Sequence, residues 1–137
     1  MIKEFHIEDL GYFLPNQFSD PDNVLPALKD NGVVKLSLWH NDMVAAILVF
    51  RNYWGSCWEG FFLICENFPV RCAMDLKRYI DITMRRLDAT RLQTDSVACD
   101  VLNRWHEFLG FKLEGTREKL MHERDYNMFA RVRVRGA

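Results

Sequence analysis

The sequence predicts an α/β (α+β) fold: a mixed, mostly antiparallel sheet of six to seven strands flanked by helices, in one domain spanning residues 1–137. Three observations carry this. The apolar runs VVKLSLW, MVAAILVF and CWEGFFLIC follow one another with short polar breaks, the spacing of strands paired as hairpins. A long amphipathic helix comes next. Strand, helix and two further strands then close the chain, an order that places helices against a mixed sheet.

Taken in order, Ile2 to His6 suits a short edge strand. PNQFSDPDN then clusters turn formers, and VLPALKDNG reads as a short helical piece stopped at Asn31-Gly32. Val33 to Trp39 and MVAAILVF form a hairpin around His40-Asn41-Asp42. RNYWGS is a loop, and CWEGFFLIC, with its continuous apolar end, suggests a central strand covered on both faces. After Pro69, the residues Cys72, Ala73, Leu76, Tyr79, Ile80, Thr83, Met84 and Leu87 recur at spacings of three and four, a helical face turned to the core. Lys77, Asp81 and Arg85 line the outer face at a spacing that allows ion pairs.

RLQTDSVA is a strand. Asp100 is placed to cap a second helix, whose Leu102, Trp105, Phe108 and Leu109 share one face. Gly110 suits the helix C-cap, where a left-handed backbone costs glycine little. FKLEGTREKLM and YNMFARVRV then form strands about the charged turn HERD. Arg131, Arg133 and Arg135 fall on one side of the last strand, where charge discourages edge pairing. Trp39, Tyr53, Trp54 and Trp58 read as core or hairpin packing rather than a base-stacking platform, because no basic patch interleaves them.

Lys plus Arg total 18 against 19 Asp plus Glu, for a net charge of -1, so charge points to neither nucleic acid nor an anionic membrane. Cys57, Cys65, Cys72 and Cys99 form no CxxC pair and the four His are scattered, so no metal site is suggested. The four Cys read as reduced thiols. No apolar run approaches about 18 residues, the length of a membrane span. The N-terminal residues lack the pattern of a secretory signal, so the cytoplasm is the expected compartment.

The helix ending FLGF at Phe108 to Phe111, then LEG at Leu113 to Gly115, then DYNMFARV at Asp125 to Val132, resembles the GNAT superfamily of N-acetyltransferases. DYNMFARV resembles phage and prophage members in particular. The resemblance covers most of the chain from Val33 onward. It implies transfer of an acetyl group from the cosubstrate acetyl-CoA directly to an amine, and a homodimer as partner.

In the family the central strand, here CWEGFFLIC, splays from the strand after the long helix, here RLQTDSVA, and the pantetheine arm lies in the opening. The resemblance therefore assigns main-chain contacts to Leu63, Ile64 and Cys65. It assigns the pyrophosphate to the start of the long helix at Arg71, Cys72 and Ala73. The family places an Arg or Gln followed by glycines there, whereas this chain reads VRCAMDLK, with Met74 and Leu76 near the glycine positions and Asp75 beside them.

The family's acid is often a Tyr four residues before the Gly of the GF pair, and this chain has His106 there. Tyr126 is a second candidate donor. Glu59 and Glu66, on or beside the central strand, are candidate bases. Cys65 as a covalent nucleophile ranks below a packed thiol. The glycine-poor loop leaves a second reading open: a catalytically inactive GNAT-like protein serving as a phage or prophage structural or interaction module.

Overall fold

The computed structural model describes residues 1–12, 28–30, 32–65, 67–121 and 123–134. Its strands are β1 (Ile2–Glu4), β2 (Val34–His40), β3 (Met43–Trp54), β4 (Cys57–Ile64), β5 (Arg91–Val97), β6 (Lys112–Met121) and β7 (Arg124–Val132). Its helices are α1 (Val70–Arg86) and α2 (Asp100–Phe108), with a 3-10 helix at Ile7–Tyr12. The expected short helix at VLPALKDNG lies largely outside the described residues, as do Glu66 and Arg135.

Seven strands form one sheet in the order β1-β2-β3-β4-β5-β7-β6. Neighbours are antiparallel except β4 and β5. The chain passes from β4 through α1 before entering β5, which returns it in the same direction, as a parallel pair requires. The β2–β3 turn falls on Asn41 and Asp42, both left-handed (φ 50° and 61°), a backbone conformation these residues tolerate better than most.

Strand alternation sends the two faces of the sheet into two cores. Ala46, Leu48 and Phe50 of β3 pack with Leu76, Ile80 and Met84 of α1, while Ile47 and Val49 pack with Phe5, Leu28 and Val33 on the other face. The strand covered on both faces is thus β3, whose residues Val44 to Phe50 are all buried. β4 is the middle strand of the seven, as expected, but the expectation that it is covered on both faces is corrected. Only Gly60 of β4 is buried, because β5 leaves its side after three residue pairs. β3 also continues to Trp54, so RNYWGS is mostly strand, and the tip exposes Tyr53 and Trp54. Trp39 and Trp58 do pack against the cores.

The buried face of α1 comprises Cys72, Ala73, Leu76, Ile80, Thr83 and Met84. Burying a side chain such as Leu76 or Ile80 stabilises by about 1.5–3 kcal/mol. On the outer face Asp81 pairs with Arg85 at 3.2 Å, whereas Lys77 instead lies over the Phe108 ring. Arg131 and Arg133 reach Asp81 and Asp88, each at 3.1 Å. β7 lies between β5 and β6, so these arginines tie the sheet to α1 and its exit and do not guard an edge.

Two expectations for α2 also change. Asp100 is its first residue and Cys99 the N-cap, with no side-chain capping bond. Its inward face includes His106 and Leu109, while Phe108 is exposed. Asn127 of β7 donates to Asn103 Oδ1 at 2.7 Å and accepts from Thr116 at 2.7 Å, a polar clasp that seats α2 on the sheet.

Gly60 is where packing leaves no room for a side chain. A Cβ there would stand 2.9 Å from Phe62 Cζ and 3.1 Å from Leu92 Cδ1, and the Phe62 ring is held by Phe50 and Phe111. Gly60→Ala is expected to destabilise the fold by about 1–3 kcal/mol, the usual cost of overpacking. Urea denaturation of the two proteins measures it, and an unchanged midpoint would show that the rings yield freely.

Candidate active site

β4 and β5 pair only at Cys57–Arg91, Trp58–Leu92 and Glu59–Gln93. Both strands continue, β4 to Ile64 and β5 to Val97, so a wedge-shaped gap opens between them. Hydrogen-bond parity decides which main-chain groups face it. The Cys65 amide donates to Ala45 O at 2.9 Å, which turns Cys65 and, two residues back, Leu63 toward β3. Phe62 and Ile64 then direct their amides and carbonyls into the gap. Across it, the Ala98 amide donates to Asp125 O of β7's partner side at 2.9 Å, which leaves the main chain of Asp95 and Val97 facing β4. Of the three residues assigned main-chain contacts, the register aims Ile64 into the gap and turns Leu63 and Cys65 away. Phe62, not among those three, also faces the gap.

At the wide end, α1 begins at Val70 after the N-cap Pro69, which has no side-chain capping bond. Ala73 N donates to Pro69 O at 3.2 Å, and the amides of the preceding turn point out of the helix. The side chains of Cys72 and Ala73 are buried in the core, so these residues offer a ligand only their main chain. Arg71 is exposed and has no ion pair among the described residues. Asp75 sits 3.5 Å from Arg78 one turn along its own helix, and that cation offsets its charge. Of the two positions near which the family has glycines, Met74 is exposed and Leu76 is fully buried in the helix-side core.

His106 is 6% exposed. Gly110 (φ 94°) ends α2 with its amide on Glu107 O at 3.0 Å, and the Phe111 amide bonds His106 O at 2.9 Å. This is the Schellman arrangement, in which the residue four before the Gly packs against the residue after it. The His106 ring accordingly meets Phe111 edge-on at 5.8 Å and stacks on Phe129 at 4.6 Å. Its Nδ1 donates to Leu102 O at 2.8 Å. Desolvation lowers the His106 pKa below the ordinary value, with the Leu102 bond opposing, so the ring is neutral near pH 7. The imidazolium expected as an acid does not suit this enclosure.

The opposite face of the sheet carries the carboxylates. Leu92 and Thr94 are buried, with Leu92 in the helix-side core, so Gln93 and Asp95 point the other way. Glu59 is the direct neighbour of Gln93 and shares that face. Glu59 is gripped by Arg51 through one oxygen, Oε2, at 3.2 and 2.5 Å. Asp95 has no such partner among the described residues. Asp95 is exposed, yet partial desolvation by its surroundings pushes its pKa above the ordinary value; Arg117 opposes this and the Glu59 charge adds to it.

Asp95 is the functional candidate that sequence reasoning missed. Its local signal is only a polar residue in an alternating strand. Tyr126, 5% exposed, stands opposite Val97 on this same face. Burial raises the pKa of Cys65, which keeps it a thiol and favours packing over nucleophilic attack. Among the described residues, no group of three or more His, Cys, Asp or Glu could hold a metal ion, and no helix is long and apolar enough to cross a membrane.

This architecture, a mostly antiparallel seven-stranded sheet whose single parallel pair splays beside a helix N-terminus, is the GNAT fold. No protein-family model and no curated protein match the sequence. Solved structures do match. The ribosomal-protein-S18-alanine N-acetyltransferase of Escherichia coli is similar at a TM-score of 0.76 and 13% identity, covering 100% of this chain and 97% of that one. An acetyltransferase of Bacillus subtilis in complex with CoA gives 0.76 and 12%, covering 98% and 97%. A GNAT-family acetyltransferase of Streptococcus pneumoniae gives 0.73 and 15%, covering 96% and 98%.

Proposed function

We propose that the protein is an acyl-CoA-dependent N-acetyltransferase that transfers acetyl directly from acetyl-CoA to an amine. The observation that carries this is the β4–β5 gap, with main chain left open on both sides, a helix N-terminus at its wide end and a carboxylate on each bordering strand. The residues suit the thioester substrate. The Phe62 and Ile64 main chain can hold an extended amide-bearing arm, and one of their amides can stabilise the charge that develops on the thioester oxygen. The first-turn amides of α1 and Arg71 suit phosphate oxygens, though fewer bare amides are exposed than a glycine-rich turn would give.

Asp95 takes one proton from the substrate ammonium. The freed nitrogen lone pair forms the N–C bond to the thioester carbonyl as the C–S bond breaks and its electron pair leaves on sulfur. The second nitrogen proton passes to water as the amide forms, and the thiolate gains one from a donor that water then reprotonates. Tyr126 is the donor we assign to sulfur, because His106 is enclosed on the helix side. Glu59, held by Arg51, shapes the field around Asp95.

Calorimetric titration with CoA and acetyl-CoA tests the proposal. Binding is expected, and Arg71→Ala should weaken it by roughly 2- to 5-fold, the scale of one exposed ionic contact, with a smaller difference at high salt. No binding at millimolar ligand would overturn the enzymatic reading and favour the interaction module.

A further inference from the structure

We infer that the acceptor is a zwitterion, an amine carrying a nearby carboxylate, with Asp95 receiving the ammonium and Arg117 the carboxylate. This rests on the transferase reading above and names its substrate class. On the face that carries Asp95, two other acid–base pairs are closed. Arg51 clasps Glu59, and Arg91 clasps Glu114 through two bonds while its Nε bonds Gln93. Asp95 and Arg117 are among the charged side chains of this face that no ion pair closes among the described residues, Lys112 at the far end of β6 being another. The Arg117 charge acts on Asp95, favouring its carboxylate, yet no ion pair joins them among the described residues.

The sheet register explains why they face one another without touching. Asp95 stands opposite Met128 on β7, and Arg117 stands opposite Tyr126, with β7 between β5 and β6. Two strand spacings across the sheet and a two-residue offset along it put the backbones of Asp95 and Arg117 roughly 11–12 Å apart. The Arg117 side chain crosses part of that interval, since its Nε rests on Met128 Sδ at 2.9 Å, directly beside Asp95. Gly115 leaves the space: a Cβ there would come within 3.0 Å of Met128 Cε and force the Met128 side chain to shift from under Arg117.

The result is an anion and a planar cation exposed on one face with no ion pair between them, which a small zwitterion would bridge with charge-assisted hydrogen bonds of about 2.8 Å at each end. A guanidinium recognises a carboxylate through two parallel bonds, which a lone amine cannot supply. Asp95 also borders the β4–β5 gap, so an ammonium bound there lies next to the proposed thioester position. The Arg117–carboxylate contact fixes the rotation of the substrate about that point.

The test measures CoA thiol release with acetyl-CoA and a panel of α-amino acids, each compared with the amine that lacks its carboxyl group. The amino acid of the best pair is expected to be preferred in kcat/KM by about tenfold or more, the scale of one lost charge-assisted contact. Arg117→Ala should bring that ratio near one, chiefly through KM for the amino acid, and Arg117→Lys should restore part of it. Equal use of both members of each pair by the natural protein would overturn the inference, as would an Arg117→Ala variant with an unchanged ratio. Absence of thiol release with every amine of the panel, despite bound CoA, would instead overturn the transferase reading beneath it.

Discussion

Asp95→Asn is expected to lower kcat/KM for acetyl transfer by about 10²- to 10⁴-fold, the range for loss of a positioned general base. The substitution keeps the shape of the side chain and removes its capacity to accept a proton. Glu59→Gln should cost less, because Arg51 already engages the Glu59 carboxylate and what Glu59 offers Asp95 is the influence of its charge. The pH dependence separates a base from a binding group. Desolvation raises the Asp95 pKa above that of an ordinary aspartate, so the reactive carboxylate accumulates as pH rises through that raised value. In the natural protein kcat/KM should climb through that value and then level. The Asn variant should lose this limb, and Glu59→Gln should move it downward, since removing a negative neighbour eases ionisation. An Asn variant within about threefold of the natural rate, with the limb intact, would place the base elsewhere.

The parts of this fold written in local periodicity were legible in the sequence. The three-four recurrence from Cys72 to Met84 places α1, and the left-handed Asn41-Asp42 turn closes the first hairpin as its residue types require. What the sequence did not yield depends on neighbours distant in the chain. β3 and β4 are both apolar runs, and only the departure of β5 after Glu59–Gln93 makes β3 the doubly buried one. Leu63, Ile64 and Cys65 look equivalent in a strand, and only the Cys65–Ala45 hydrogen bond reveals that Ile64 alone of them faces the gap. Asp95 is one polar residue in an alternating run until Met128 and Gln93 fix its face. Arg131 and Arg133 read as edge protection because nothing near them in sequence announces Asp81 and Asp88. The family words in the closing third indicated the fold correctly, since the GF and EG positions do structural work: Gly110 permits the left-handed helix exit and Gly115 makes room for Met128.

His106 shows the same limit in reverse, and its substitution should act on stability before chemistry. His106→Ala is expected to lose about 2–4 kcal/mol, as for removal of a buried ring that leaves a cavity, since its imidazole fills the angle between Phe111 and Phe129. Urea denaturation reads this as a midpoint lower by roughly 1–2 M. His106→Leu keeps much of the volume and removes the proton site, so it separates packing from titration. Because burial lowers the His106 pKa, the unfolded chain binds a proton at about pH 6.5 while the folded protein resists it. His106 therefore leaves stability undiminished above that pH and subtracts from it as pH falls through the interval down to the folded pKa. The natural protein should lose more stability than His106→Leu between pH 7.5 and 5.5. Its acetyl transfer rate should match the variant's within about threefold, well short of the loss that removing a general acid brings. A well-folded His106→Leu protein with a hundredfold lower rate and an altered alkaline limb would return the acid role to His106 and remove it from Tyr126.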